Sequence, residues 1–106
     1  MNHKNFIFIP QEVAMDKQLK APEKLLYGHL IGLSYKNKCC EPKNRELAEL
    51  LGVSIEATSK YLRTLEESGY IIRNVIKYKT KEVEKRIIYP KEKHIEHLRV
   101  QFEENH

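Results

Sequence analysis

The stretch from Asn44 to Ile72, NRELAELLGVSIEATSKYLRTLEESGYII, constrains the fold more than any other part of the chain. Leu47, Leu50 and Leu51 recur on one side of a short helix, with Ala48 where a close helix crossing needs a small side chain. Gly52 follows, a residue that closes helices in the left-handed conformation. Val53 can then tuck under the turn, and Ser54 is a good N-cap for a second helix. On that second helix Thr58, Tyr61, Leu62 and Leu65 share a face, leaving Glu56, Lys60, Arg63 and Glu67 on the opposite, outward one. Gly69 ends it and the chain passes directly into a β-prone run.

Two leucine stripes alone describe any helical hairpin. The joint spacing of Ala48, Gly52, Ser54 and Leu62, followed by a pair of strands, instead predicts a helix-turn-helix core with its second helix offered to DNA. Lys43, Asn44 and Arg45 cluster at the start of the first of these helices. There backbone N–H groups and basic side chains can meet a phosphate; the alternative is a plain Asn44 cap with solvated charges.

At 106 residues the chain suits one modest core without metals or disulfides. The formal charge of +4 suggests a polyanionic partner, and its distribution says more than its total. From Arg73 to Lys93 there are eight cations, Arg73, Lys77, Lys79, Lys81, Lys85, Arg86, Lys91 and Lys93, against only Glu82, Glu84 and Glu92. Adjacent Cys39 and Cys40 make no secreted disulfide framework, the first residues show no signal peptide, and the longest apolar run, near Leu25 to Leu33, is too short to span a bilayer. A cytoplasmic protein with no membrane partner is expected.

Phe6 to Ile9, closed by Pro10, reads as an edge strand or a hydrophobic arm, and the arm is preferred. One helical turn is expected around Val13 to Asp16. Pro22 and Glu23 open the first core helix, which carries Leu26, Leu30 and Leu33 to about Tyr35. Gly28 and Gly32, four apart, predict close packing against another helix, and His29 reads as structural. Cys39 to Glu41 fits a short strand before Pro42. Ile71 to Tyr78 and Val83 to Tyr89 form a hairpin whose linker lacks a tight-turn signal, predicting a longer, mobile tip. Its lysines either reach the DNA backbone or protect an exposed edge from pairing.

After Pro90, Ile95, Leu98 and Phe102 make one apolar stripe on a polar helix. It packs back on the domain, pairs with its copy in a homodimer, or meets a following domain; dimerisation is preferred. His94 and His97 lack a further ligand at suitable spacing, so no metal is expected, and no cofactor. There is no phosphate-cradling glycine loop, no nucleophile with a base partner and no metal-spaced carboxylate cluster, so no catalytic role is expected either.

With FIFIPQEV, APEKLLYGHLIGLS and ELAELLGVSIEATSKYLRTLEESGYI in this order, the chain resembles the winged helix-turn-helix domain at the N-terminus of replication initiators and replisome organisers of Gram-positive phages and plasmids. The similarity runs from about Phe6 to Tyr89. It implies an α+β, mainly α fold of three core helices and a hairpin wing: an arm over residues 1–20, the winged domain over 21–90, and a C-terminal helix over 91–106. It also implies a role in the replication of a mobile element. By position, Ser54, Glu56, Ala57, Ser59, Lys60 and Arg63 would lie near bases or phosphates. The wing cations Lys77, Lys79, Lys81, Lys85 and Arg86 would lie on the backbone, and Asn44 would help fix register.

The sequence departs from the resemblance at Ala21, where a hydroxyl residue usually precedes the proline, and at Ile55-Glu56-Ala57, where basic and hydroxyl residues are usual. Glu56 can accept a hydrogen bond from cytosine, repels phosphates, or pairs with Lys60 one turn on. Two further readings stand beside duplex binding. Tyr70, Tyr78 and Tyr89, interleaved with Arg73, Lys77, Lys79, Lys85 and Arg86, suit single-stranded DNA stacked on aromatics. Alternatively, the C-terminal stripe and Ile55 recruit a replication protein, or the chain regulates transcription.

Overall fold

The computed structural model describes residues 6–78 and 84–104. Among these, five helices and one hairpin follow in order: α1 (Gln11–Ala14), α2 (Ala21–Leu33), α3 (Asn44–Leu51), α4 (Ile55–Glu67), β1 (Ile71–Lys77), β2 (Glu84–Pro90) and α5 (Glu92–Glu104). This is the mainly helical, winged arrangement expected.

Glycine closes both helices of the helix-turn-helix. Gly52 has φ 70° and Gly69 φ 83°, a region that side chains with a Cβ enter at a cost. At each, two hydrogen bonds close the preceding helix: Gly52 N to Glu49 O and Val53 N to Ala48 O, then Gly69 N to Glu66 O and Tyr70 N to Leu65 O. Ser54 starts α4 as expected, its Oγ accepting from Ala57 N at 3.0 Å. Asn44 does not cap α3. Lys43 occupies that position, and the Glu46 carboxylate takes its backbone N–H at 2.8 Å. At α2 the Glu23 carboxylate likewise takes Lys20 N at 2.8 Å, which offsets the missing hydroxyl before Pro22.

The core lies where α2, α3 and α4 cross. Leu26, Leu30, Ile31, Leu47, Leu62, Leu65 and Thr58 are fully buried, and Ala48 lets α3 approach. Each such leucine contributes roughly 1.5–3 kcal/mol of transfer free energy. Leu50, expected on the buried side of α3, is instead at the surface, while Leu51 packs against the core.

The close packing predicted for Gly28 and Gly32 is present, but the neighbour is the N-terminal arm rather than a helix. Phe8 N donates to Gly28 O at 3.1 Å. A Cβ on Gly28 would come within 2.7 Å of Ile9, and one on Gly32 within 2.0 Å of the Phe6 carbonyl oxygen. The two glycines form a channel in which an extended chain lies directly on the helix backbone.

Strands β1 and β2 are antiparallel, with Ile71 opposite Pro90 and Lys77 opposite Glu84. Cys40 forms the short bridge expected before Pro42, exchanging backbone hydrogen bonds with Ile88 at 3.0 and 2.8 Å. The expected mobile tip, with Lys79 and Lys81, lies outside the described residues.

Helix α5 corrects the dimerisation reading. Ile95 and Leu98 are buried in the chain's own core. Phe102 meets Phe6 and Tyr35 edge-on, with ring centroids 5.2 and 5.5 Å apart. Arg99 reinforces the contact through two hydrogen bonds to Tyr35 O at 3.1 and 3.0 Å. The stripe is covered from within because α2, β2 and the arm leave an apolar seam that matches its spacing.

Candidate nucleic-acid interface

With Thr58, Leu62 and Leu65 holding α4 to the core, the opposite face of the helix is open. Ile55, Glu56, Lys60 and Arg63 are exposed, and Ser59 is half-buried between them. Among the described residues no carboxylate lies within ion-pair distance of Lys60 or Arg63, nor of Lys43 or Arg45 at the start of α3. Glu56 and Lys60, one turn apart, do not pair. The helix-turn-helix therefore presents four cations, and the exposed carboxylates of Glu49, Glu56 and Glu67, without an ion-pair partner among the described residues.

The wing is less free than its composition suggests. Arg73 grips Glu66 through two nitrogens, at 2.7 and 3.2 Å, and holds that carboxyl below its ordinary range. Lys77 sits 3.8 Å from Glu84 and Lys85 3.5 Å from Glu41, both in exposed pairs of the kind worth about 0–1 kcal/mol. Arg86 acts as a strut. Its guanidinium donates to Asn44 Oδ1 at 2.6 Å and to the Pro42 carbonyl, fastening β2 to the start of α3. Asn44 and Arg86, both expected at DNA, thus hold each other. The charge run gave no sign of this, because the partners lie 42 and 44 residues away in sequence. Tyr70 is likewise withdrawn: it is buried and its hydroxyl donates to Asp16 at 2.6 Å, leaving Tyr78 exposed and Tyr89 half-buried.

Sequence reasoning also missed a buried polar chain behind the interface. Lys91 N donates to Tyr27 Oη at 3.2 Å, so the phenol proton points to His94 Nδ1 at 2.6 Å. His94 Nε2–H then donates to Glu12 at 2.7 Å. The chain requires a neutral imidazole. Burial pushes the His94 pKa down, opposed by Glu12, while the hydrogen bonds from His94 and Lys93 hold the Glu12 carboxyl low. This network ties α5 to α1 and α2. The only signal for it in the sequence was a histidine falling within an apolar stripe. His97, by contrast, is exposed, and among the described residues no three ligands converge for a metal.

Three helices around a leucine core, a glycine-closed turn, a helix face that turns Lys60 and Arg63 outward and a following hairpin define a helix-turn-helix domain of the DNA-binding class. Residues 17–71, more than half of the chain, match the family model for a helix-turn-helix domain, and the chain belongs to that family. No curated protein matches it. No helix among the described residues is long and apolar enough to cross a membrane.

Proposed function

We propose that this chain is a non-enzymatic protein that binds duplex DNA by laying α4 in the major groove, with a role in the replication of a mobile element. The observation that carries the binding mode is the contrast in charge compensation. Lys60 and Arg63 on α4, with Lys43 just before α3 and Arg45 in its first turn, face outward without an ion-pair partner among the described residues, whereas the described wing cations are paired or structural. The major groove, about 12 Å wide, admits a helix. Lys60 and Arg63 make the main contacts, Lys43 and Arg45 meet flanking phosphates, and Ser54 and Ser59 assist register. Lys77 and Lys85 exchange weak carboxylate partners for phosphates. The replication role rests on the resemblance of the motif order to phage and plasmid initiators. Single-strand binding through the wing is the weaker alternative, because Tyr70 and Arg86 are committed to the fold.

The test is fluorescence anisotropy with a random-sequence duplex and its single strand, titrated with salt. The proteins are wild type, Lys60→Ala/Arg63→Ala and Lys77→Ala/Lys85→Ala. The helix pair is expected to weaken duplex binding and reduce the salt slope by roughly 2, one per lost phosphate contact. Tighter binding to the single strand, abolished by the wing pair and untouched by the helix pair, would sink the proposal.

A further inference from the structure

The outward face of α4 carries two residues that a purely electrostatic DNA contact does not use. Ile55, at the first position of the helix, is 48% exposed, although Ile71, Ile88 and Ile95 are buried. The core face of α4 is already filled by Thr58, Leu62 and Leu65, and nothing among the described residues buries Ile55. Beside it Glu56 is exposed and, among the described residues, has no cation within ion-pair distance. Against phosphates such a carboxylate is repelled. Ser54 Oγ accepts from Ala57 N, and its hydroxyl proton remains free to donate to a phosphate.

Resting on the major-groove reading above, we infer that Ile55 and Glu56 read pyrimidines, Ile55 the 5-methyl group of thymine and Glu56 the 4-amino group of cytosine. Successive side chains leave a helix about 100° apart, so the two address different positions in the groove. An ionised carboxylate only accepts hydrogen bonds. Guanine offers it two acceptors, N7 and O6, and is rejected. Adenine sets N7 beside its one amino donor, whereas cytosine presents the amino donor without an adjacent N7. Thymine is the one base with a methyl group in the major groove, the natural partner of an exposed isoleucine. Glu56 also suits the positive end of the α4 dipole, but that role is indifferent to DNA sequence.

The experiment selects bound sequences from a randomised duplex library with wild type, Ile55→Ala, Glu56→Gln and Glu56→Ala, checking each variant's thermal melt. Wild-type affinity is then measured on the selected duplex with single thymines replaced by deoxyuridine, which removes only the methyl group. One such replacement is expected to weaken wild type about fourfold, the loss of one buried methyl group, and to leave Ile55→Ala unaffected. Glu56→Gln is expected to move a neighbouring preference from cytosine to adenine, which an amide can pair through N6 and N7.

Identical selected sites for all four proteins, or a uracil penalty that persists in Ile55→Ala, would overturn the inference. So would Glu56→Ala strengthening every duplex equally, which would make Glu56 a simple repulsive charge. Duplex binding with no sequence enriched overturns this inference and leaves DNA binding standing. No duplex binding at low salt overturns both.

Discussion

Acid should loosen this protein through its histidines well before its carboxylates titrate. His94 and His29 are both buried, and burial lowers both below the ordinary value of 6.5. Their neutral forms therefore favour the fold. That contribution is complete above pH 6.5 and is lost as the pH falls toward the lowered folded values. Integrated from pH 7.5 to 5.5, one histidine unable to protonate in the folded state costs at most about 1.4 kcal/mol, one pKa unit's worth. Two such histidines cost at most about twice that.

At His94 the physical cause is the directed chain from Lys91 N through Tyr27 to Glu12. A second ring proton would face the Tyr27 hydroxyl and leave its O–H without an acceptor. The groups surrounding the ring are Glu12 from α1, Tyr27 from α2, Tyr70 before β1, and Lys91 and Lys93 beside or on α5. Glu12, Asp16 and Glu66 lie below their ordinary 4.5, 3.8 and 4.5, so their stabilisation is retained throughout this window and lost only at lower pH. Urea unfolding followed by circular dichroism at pH 7.5, 6.5 and 5.5 tests this. Wild type is expected to weaken steadily. His94→Gln should be about 1–3 kcal/mol less stable at pH 7.5, because Tyr27 loses its acceptor, but should weaken about half as much with acid. A wild-type stability that is flat or rises toward pH 5.5, or a His94→Gln that keeps the full acid loss, would refute the reasoning.

Three other outcomes follow from the packing. Gly32→Ala sets a Cβ against the Phe6 carbonyl and should cost about 1–3 kcal/mol by lifting the arm, seen in urea midpoints and in faster proteolysis before Pro10. Arg86→Ala should cost about 1–3 kcal/mol because Asn44 and Pro42 lose their donor, whereas Lys77→Ala, in an exposed 3.8 Å pair, should stay within about 0.5 kcal/mol in the same assay. Leu98→Ala, a core deletion, should cost about 2–5 kcal/mol, and sedimentation should show no change in oligomeric state.

Much of the fold was legible because its signals are local. Gly52, Ser54 and Gly69 act within a turn of their own positions, and the leucine periodicity of α4 needs no knowledge of its partner. The outward placement of Lys60 and Arg63 follows from the same periodicity. The bond between Asn44 and Arg86 was not legible, because basic and amide side chains look alike in sequence whether solvated, bound to phosphate or bound to each other. The glycine pair correctly indicated close approach but not what approaches, since a helix backbone accepts an extended arm as readily as another helix.

By itself, the sequence determined the helix-turn-helix, its glycine ends and the Ser54 cap, the hairpin and the outward placement of Lys60 and Arg63, all products of short-range backbone preference and apolar spacing. Only the tertiary structure decided what α5 covers, which cations remain free and how Tyr27, His94 and Glu12 connect. Those outcomes depend on contacts between residues 42 to 82 positions apart, whose geometry is set by how the layers close over one another.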